Sequence, residues 1–170
     1  MKIYRRVIPK IAKDVVRVLL VNHAIEIEDG RRDEAELDIA GVLVKYLNDV
    51  DQLNTDAREA LNRHGLALSA LGQVKQNIAK KRKLVVGADS SDFVQNLLLN
   101  SLFDSKTIQE VFADDEELSE MISSAMSKYL GVDAELDREV RNRLKNLREG
   151  TVEWEDEYNR VIAQMRTSPT

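Results

Sequence analysis

An internal repeat constrains the fold of this chain more than any other feature of the sequence. The tripeptide Lys-Tyr-Leu at 45–47 recurs at 128–130, an offset of 83 residues. At that offset six of the seventeen positions in 45–61 are identical, whereas about one identity is expected by chance. The other three identities pair Leu53 with Leu136, Arg58 with Arg141, and Leu61 with Leu144. Duplication of one unit explains all of these matches with the single offset of 83 residues.

Matches outside that window support the same duplication. The further pairs are Leu19 with Leu102, Ile25 with Ile108, Glu34 with Glu117, and Ile39 with Ile122. A solenoid needs at least three repeats, and this chain has two. We therefore predict two tandem, diverged units, at 1–83 and 84–170, that form a helical bundle and that pseudo-twofold symmetry could relate.

The composition predicts an all-α fold. Strong helix formers dominate the chain, which has only 7 Gly and 2 Pro in 170 residues. Hydrophobic spacing and capping residues predict about four helices in each unit. They are expected over 8–22, 33–47, 54–65 and 68–83 in the first unit. In the second unit they are expected from about 91, over 115–130, in a segment ending near 150, and over 152–166. Between the first two helices of each unit, 24–28 and 107–111 are expected to be extended or irregular, with little sheet.

Charge and cysteine content restrict the classes of function. Residues 1–83 carry a net charge of +4 and residues 84–170 carry −9. The absence of cysteine excludes disulfides and thiolate zinc sites and is typical of a bacterial cytoplasmic protein. No apolar stretch is long enough to span a bilayer, so we expect no membrane partner.

No catalytic motif is present, so we predict a protein that is not an enzyme and has no cofactor. The sequence lacks phosphate-binding loops, zinc-protease motifs and nucleophile elbows. Its two histidines, His23 and His64, are expected at exposed helix ends rather than in a metal site. Asp49 and Asp51 resemble the start of a calcium loop, but the sixth position is Asn54 instead of glycine.

The basic cluster at 80–83 is the densest positive feature. It consists of Lys80, Lys81, Arg82 and Lys83. Four adjacent cations could contact the phosphates of a nucleic acid. The alternative is that they stabilise the C-terminus of a helix and are otherwise solvated.

Two residue types recur at equivalent positions of the repeat: Tyr46 with Tyr129, and Arg58 with Arg141. The structural interpretation is a contact inside each unit, such as an arginine over an aromatic ring or against a carboxylate. The functional interpretation is a duplicated ligand pocket. Trp154 aligns with Leu71, which favours a core position over a role as a partner anchor.

Several segments resemble the bacterial family called domain of unknown function 507. They are the basic aliphatic opening at 2–6, the Ile-Glu-Ile-Glu-Asp stretch at 25–29, Leu53-Asn54-x-x-x-Arg58, and Val74-Lys75-x-x-Ile78-Ala79-Lys80. The resemblance covers nearly the whole chain. It implies no activity and no functional residues.

A duplicated helical module without catalytic motifs is most typical of a protein-binding role. We therefore predict an interaction, adaptor or regulatory module with a protein partner. The alternative is a nucleic-acid-associated protein that uses residues 80–83. The sequence indicates neither the partner nor a homo-oligomeric state.

Overall fold

The computed structural model describes residues 3–87, 89–147, 151, 153–154, 156–158 and 160–161. Its contacts divide the chain into two compact units, 1–130 and 131–170. The predicted repeat boundary between 83 and 84 lies inside the first of these units. The repeat units are therefore not the compact units, and the division at 83/84 stays a prediction.

The prediction of a mostly helical fold is confirmed. The elements are α1 (Ile8–Val21), β1 (Ile25–Ile27), α2 (Arg32–His64), α3 (Leu71–Lys81), α4 (Ser90–Asp104), β2 (Ile108–Val111) and α5 (Asp115–Arg143). Two 3-10 turns, Arg5–Val7 and Leu68–Ala70, precede α1 and α3. No helix in the described ranges is long and apolar enough to cross a membrane.

The predicted number of helices is wrong, because the second and third predicted helices of each unit are one continuous helix. In α2 the apolar period does not break at 47–54, since Tyr46, Leu53 and Ala57 are all buried. The Asx-rich stretch Asn54-Thr55-Asp56, interpreted as a helix start, lies inside α2 instead, and two of its side chains bond one turn back. Thr55 Oγ1 donates to the Asp51 carbonyl at 3.2 Å, and Gln52 Nε2 donates to Asp56 Oδ1 at 2.8 Å. The expected stop at Gly131 also fails, because α5 continues to Arg143.

The two predicted extended segments pair as a small antiparallel sheet. Ile25 lies opposite Val111, Glu26 opposite Glu110, and Ile27 opposite Ile108, with an irregularity after Glu26. The pairing fixes the ends of α1 and α4 against each other. Thr107 is one of two buried polar residues in the described core, and its backbone carbonyl accepts a 3.2 Å hydrogen bond from the Glu28 N–H.

The core of the first unit comes from one face of each long helix. The largest fully buried side chains are Ile8, Ile11, Val15 and Leu19 of α1, Ile39, Leu43 and Leu53 of α2, Leu98 and Leu102 of α4, and Leu118, Ile122 and Met126 of α5. Each such side chain contributes about 1.5–3 kcal/mol of transfer free energy. This shared core fixes α2 relative to α4, the two helices that form the site described below.

The second half of α2 packs against α3. With 33 residues, α2 is about 50 Å long. Ala57 and Leu61 form a small apolar cluster with Leu71, against which Val74 and Ile78 pack. The chain therefore turns back after His64, and α3 brings its C-terminus to the middle of α2.

Three helices end in the same backbone motif, with a residue of positive φ just past the cap. These residues are His23 after α1 (φ +53°), Gly65 after α2 (φ +60°) and Lys83 after α3 (φ +54°). In each case the next amide bonds back to a carbonyl five residues earlier, for example Leu84 N to Ala79 O at 2.9 Å. This geometry favours glycine, yet two of the three positions hold other residues.

Candidate functional site

A groove of about 640 Å³ lies between α2, α4 and the end of α3, entirely within the first unit. This volume is in the range of sites that bind small molecules or the side chains of a partner. Its lining residues are Val42, Lys45, Tyr46, Asp49, Gln52, Arg82, Lys83, Leu84, Phe93, Leu97, Asn100, Ser101 and Asp104.

The floor of the groove is apolar and contains an aromatic pair. The rings of Tyr46 and Phe93 are 6.0 Å apart between centroids and tilted by 51°. The Tyr46 hydroxyl donates a hydrogen bond of 3.1 Å to the Val85 carbonyl. Burial raises the pKa of the Tyr46 phenol, and a hydrogen bond with the Ser90 side chain opposes that rise. The phenol is therefore a fixed neutral part of the wall.

One end of the groove is basic, because α3 delivers Arg82 and Lys83 there. Arg82 forms an ion pair with Asp56 of α2. Asp56 also accepts a 2.8 Å hydrogen bond from Gln52 Nε2. The Arg82 hydrogen bond first, and the Gln52 bond second, lower the pKa of the Asp56 carboxyl. The charge of Arg82 is thus paired within the protein, and this ion pair holds the end of α3 against α2.

Lys83 differs from Arg82 because no such ion pair holds it in the described part of the chain. It is exposed, and among the residues that the structure describes no carboxylate lies within ion-pair distance of its ammonium. Its backbone has the left-handed conformation noted above. Lys83 therefore presents a free cation at the edge of an apolar floor.

The other end of the groove is acidic. Ser105 Oγ donates a 2.8 Å hydrogen bond to Asp38 Oδ2, near the start of α2 and just past the end of α4. Tyr46, further along α2, packs against Phe93 near the start of α4. The two helices therefore run antiparallel. From Phe93 to Asp104 the α4 wall rises by about 16 Å. Asp104 therefore lies at the opposite end from Lys83, and the groove has separated charges.

The structure brings three of the predicted site residues to this groove. Tyr46, Arg82 and Lys83 line it. Lys80 and Lys81 are exposed on the last turn of α3. The α4 wall was not predicted, although Phe93, Leu97, Asn100, Ser101 and Asp104 share one helical face and their spacing of three and four residues could have indicated it.

The recurrent tyrosines make different contacts. Tyr129 of α5 donates a 2.6 Å hydrogen bond to Asp14 Oδ2 of α1. This bond, more than the neighbouring Arg17, lowers the pKa of the Asp14 carboxyl and raises that of the Tyr129 phenol. Tyr46 and Tyr129 therefore have different hydrogen-bond partners, and the duplicated ligand pocket stays a prediction.

The recurrent arginines belong to different compact units. Arg58 is half-buried on α2, where its Nε is shielded from solvent. Arg141 belongs to the second unit, and its guanidinium carbon lies 5.4 Å from the centre of the Trp154 ring. That ring stacks on Tyr158 at 4.8 Å. Trp154 is 9% exposed, which is typical of a core residue.

The titratable residues offer no further site in the described part of the chain. His23 and His64 are exposed at the ends of α1 and α2. Within the described ranges, no three His, Asp or Glu side chains come together in a way that could hold a metal ion.

The sequence matches the family described as protein of unknown function, DUF507, over residues 1–168. The chain belongs to DUF507. This confirms the resemblance found in the sequence. None of the curated proteins matches the chain. Because DUF507 carries no assigned activity, the function of this member has to be argued from its own groove.

Proposed function

We propose that this DUF507 protein is a binding module without catalysis, and that it holds a segment of a partner protein in the groove between α2 and α4. The observation that carries the proposal is the combination of an apolar aromatic floor with charged ends in one open groove. Apolar burial supplies binding free energy, and charges at the rim select the partner. Neither feature requires a reaction.

The fixed geometry of the groove supports this role. Core side chains on α2 and α4 hold the two walls, and the Arg82–Asp56 pair holds the end of α3. A groove that is already formed loses less conformational entropy when it binds than one that must first fold, which favours affinity. The exposed polar residues Asn100 and Gln52 leave its opening accessible.

Photo-crosslinking from within the groove tests this proposal. Benzoyl-phenylalanine at Asn100, introduced in native cells, is expected to crosslink to one defined protein after nuclease treatment. The matched control is the same residue at Asp92, which is exposed on α4 but does not line the groove. The purified partner should then lose affinity for Asn100→Trp and keep it for Asp92→Trp. Equal crosslinking from both positions would contradict the groove as the binding surface.

The alternative function is association with nucleic acid, and the exposed Lys80 and Lys81 favour it. Anisotropy of labelled RNA and duplex DNA would show binding that falls steeply with salt and with Lys80→Ala/Lys81→Ala. The net charge of −5 opposes such binding. If neither RNA nor DNA binds at 50 mM salt, where electrostatic binding is strong, this alternative is excluded.

We also propose that the two halves of the sequence descend from one duplicated unit with pseudo-twofold symmetry. The bounds of the elements support this, because α4, β2 and α5 each begin within one residue of 83 positions after α1, β1 and α2. The counterpart of the basic cluster is Ala163-Gln164-Met165-Arg166, in which only Arg166 is basic, so the duplication would have left one dense cluster of cations. An experimental structure in which 8–46 fails to superpose on 91–129 would exclude the symmetry.

A further inference from the structure

We infer that the groove selects a short partner segment that has carboxylates at one end, a large apolar side chain in the middle and a cation at the other end. This inference rests on the proposed function and adds the chemistry of the partner. Three observations carry it: the free cation at Lys83, the apolar floor around Tyr46 and Phe93, and the carboxylate of Asp104 at the far end.

The conformation of Lys83 is the first step. A lysine at a left-handed position costs about 1 kcal/mol relative to glycine, which lacks the clash of Cβ with the backbone. The position after α3 holds a lysine nonetheless, and this lysine is one of the residues that line the groove. His23 has the same backbone conformation and does not line the groove, so the feature that distinguishes Lys83 is its position at the groove end. The task that fits a free ammonium at a groove end is to bind an anion.

The neighbouring charges show why Lys83 is the selecting cation. Arg82 is already paired with Asp56, and Lys45 with Asp49. Lys80 and Lys81 lie on the preceding turn and strengthen the positive field without lining the groove. A carboxylate placed at this end therefore meets an attractive field with Lys83 as its direct partner.

The length of the groove sets the size of the segment. The α4 wall covers about 16 Å, which an extended peptide spans with about five residues. The apolar side chain then lies over Tyr46, Phe93 and Leu97, and a basic residue lies near Asp104. The Asn100 side chain is available to bond the peptide backbone, whereas Gln52 and Ser101 already donate to Asp56 Oδ1 and the Leu98 carbonyl and keep only part of their bonding capacity.

Selection from a random library of displayed 12-residue peptides on the intact protein tests the inference without knowledge of the partner. Enriched peptides should carry acidic residues on one side of an aromatic or aliphatic residue. Their affinity should fall about tenfold with Lys83→Gln. Selection on Lys83→Glu should replace the acidic end with a basic one, and Asp104→Lys should replace the basic end with an acidic one.

Lys81→Glu is the matched control, because it makes the same change of charge two residues away from Lys83. It should leave the selected pattern unchanged. Peptides that depend on the groove, as judged by Asn100→Trp, but show no charge pattern would overturn this inference and leave the proposed function standing. The inference also fails if no peptide is enriched. It fails as well if RNA of 20 nucleotides binds more tightly than any selected peptide and this RNA binding is lost with Lys83→Gln.

Discussion

Tyr129 and Asp14 join the first and last helices of the first unit by a 2.6 Å hydrogen bond from the phenol to the carboxylate. Asp14 also lies 3.1 Å from the guanidinium of Arg17. The Asp14 side chain is only 19% exposed, so these bonds are partly shielded from water. A hydrogen bond to a charged acceptor at such a site is stronger than one between neutral groups.

Removal of the Tyr129 hydroxyl is expected to destabilise the protein in a pH-dependent way. Tyr129→Phe should lower the free energy of unfolding by about 1 kcal/mol at pH 7. The pKa of Asp14 is lowered in the folded state, first by Tyr129. The stabilisation is therefore complete above the unfolded value of about 3.9 and is lost as the pH falls through the folded value. Urea denaturation at pH 7 and pH 3 should show the deficit narrowing in acid.

Tyr46→Phe provides the control, because the Tyr46 hydroxyl bonds to the neutral Val85 carbonyl. It should cost about 0.5 kcal/mol, and the same amount at both pH values. A deficit of Tyr129→Phe that is equally large at pH 3 would show that the hydrogen bond does not depend on the charge of Asp14.

Part of the local structure of this chain could be predicted from the sequence. The helix over 8–22, the extended stretches near 25 and 108, and the stop at Gly65 depend on neighbouring residues, and the structure has all of them. The pairing of β1 with β2 depends on residues about 83 apart and was not predicted. The merger of two helices in α2 was also missed, because Asp is typical of caps, whereas Asp49 and Asp56 are bonded here to Lys45 and Gln52 one turn away.

The groove could be predicted only in part. The sequence identified Arg82 and Lys83 as candidate site residues through the basic cluster, and Tyr46 through the repeat. Nothing in the sequence indicated that these residues lie close together. Their proximity depends on α3 folding back along α2, which requires the contact of Leu71 with Ala57 and Leu61. The charge of Arg82 gives no sign that Asp56 neutralises it, so the four cations of the cluster could not be distinguished by sequence.

Replacement of Lys83 by glycine should separate stability from binding. Lys83→Gly removes a left-handed lysine and is expected to raise the free energy of unfolding by about 1 kcal/mol, because glycine is favoured just past a helix end. The same variant should weaken the selected acidic peptides about tenfold, because the cation is lost. Thermal unfolding and fluorescence polarisation measure the two effects.

His23→Gly is the matched control, since His23 has the same φ and the same bonding pattern after α1. It should stabilise the protein by a similar amount and leave peptide affinity unchanged. If both variants weaken binding equally, the effect of Lys83→Gly would be a general consequence of altered helix ends.

Glycine-to-alanine substitutions within α2 and just past its end should change stability in opposite directions. Gly65→Ala places Cβ at a φ of +60° and should lower stability by about 1 kcal/mol. Gly41→Ala lies within the helix, where a new Cβ meets nothing within 4 Å, and should raise stability by a similar amount. Guanidinium denaturation of both variants checks the signs. Destabilisation by Gly41→Ala would indicate a contact at that face of α2.

Glu26 and Glu110 lie directly opposite each other on the antiparallel strands, and both are exposed. Like charges at such positions repel, and opposite charges attract. Glu110→Lys should therefore raise the free energy of unfolding by about 0.5 kcal/mol at low salt.

Salt distinguishes this electrostatic effect from a change in strand propensity. At 1 M salt the screening length falls to about 3 Å, so most of the gain from Glu110→Lys should disappear. Gln109→Lys is the control, because it adds the same side chain at the adjacent exposed position, which lies at the irregularity in the register and has no residue of β1 directly opposite it. It should give a smaller gain. A gain from Glu110→Lys that persists in 1 M salt would mean that repulsion between the two glutamates does not limit the stability of the sheet.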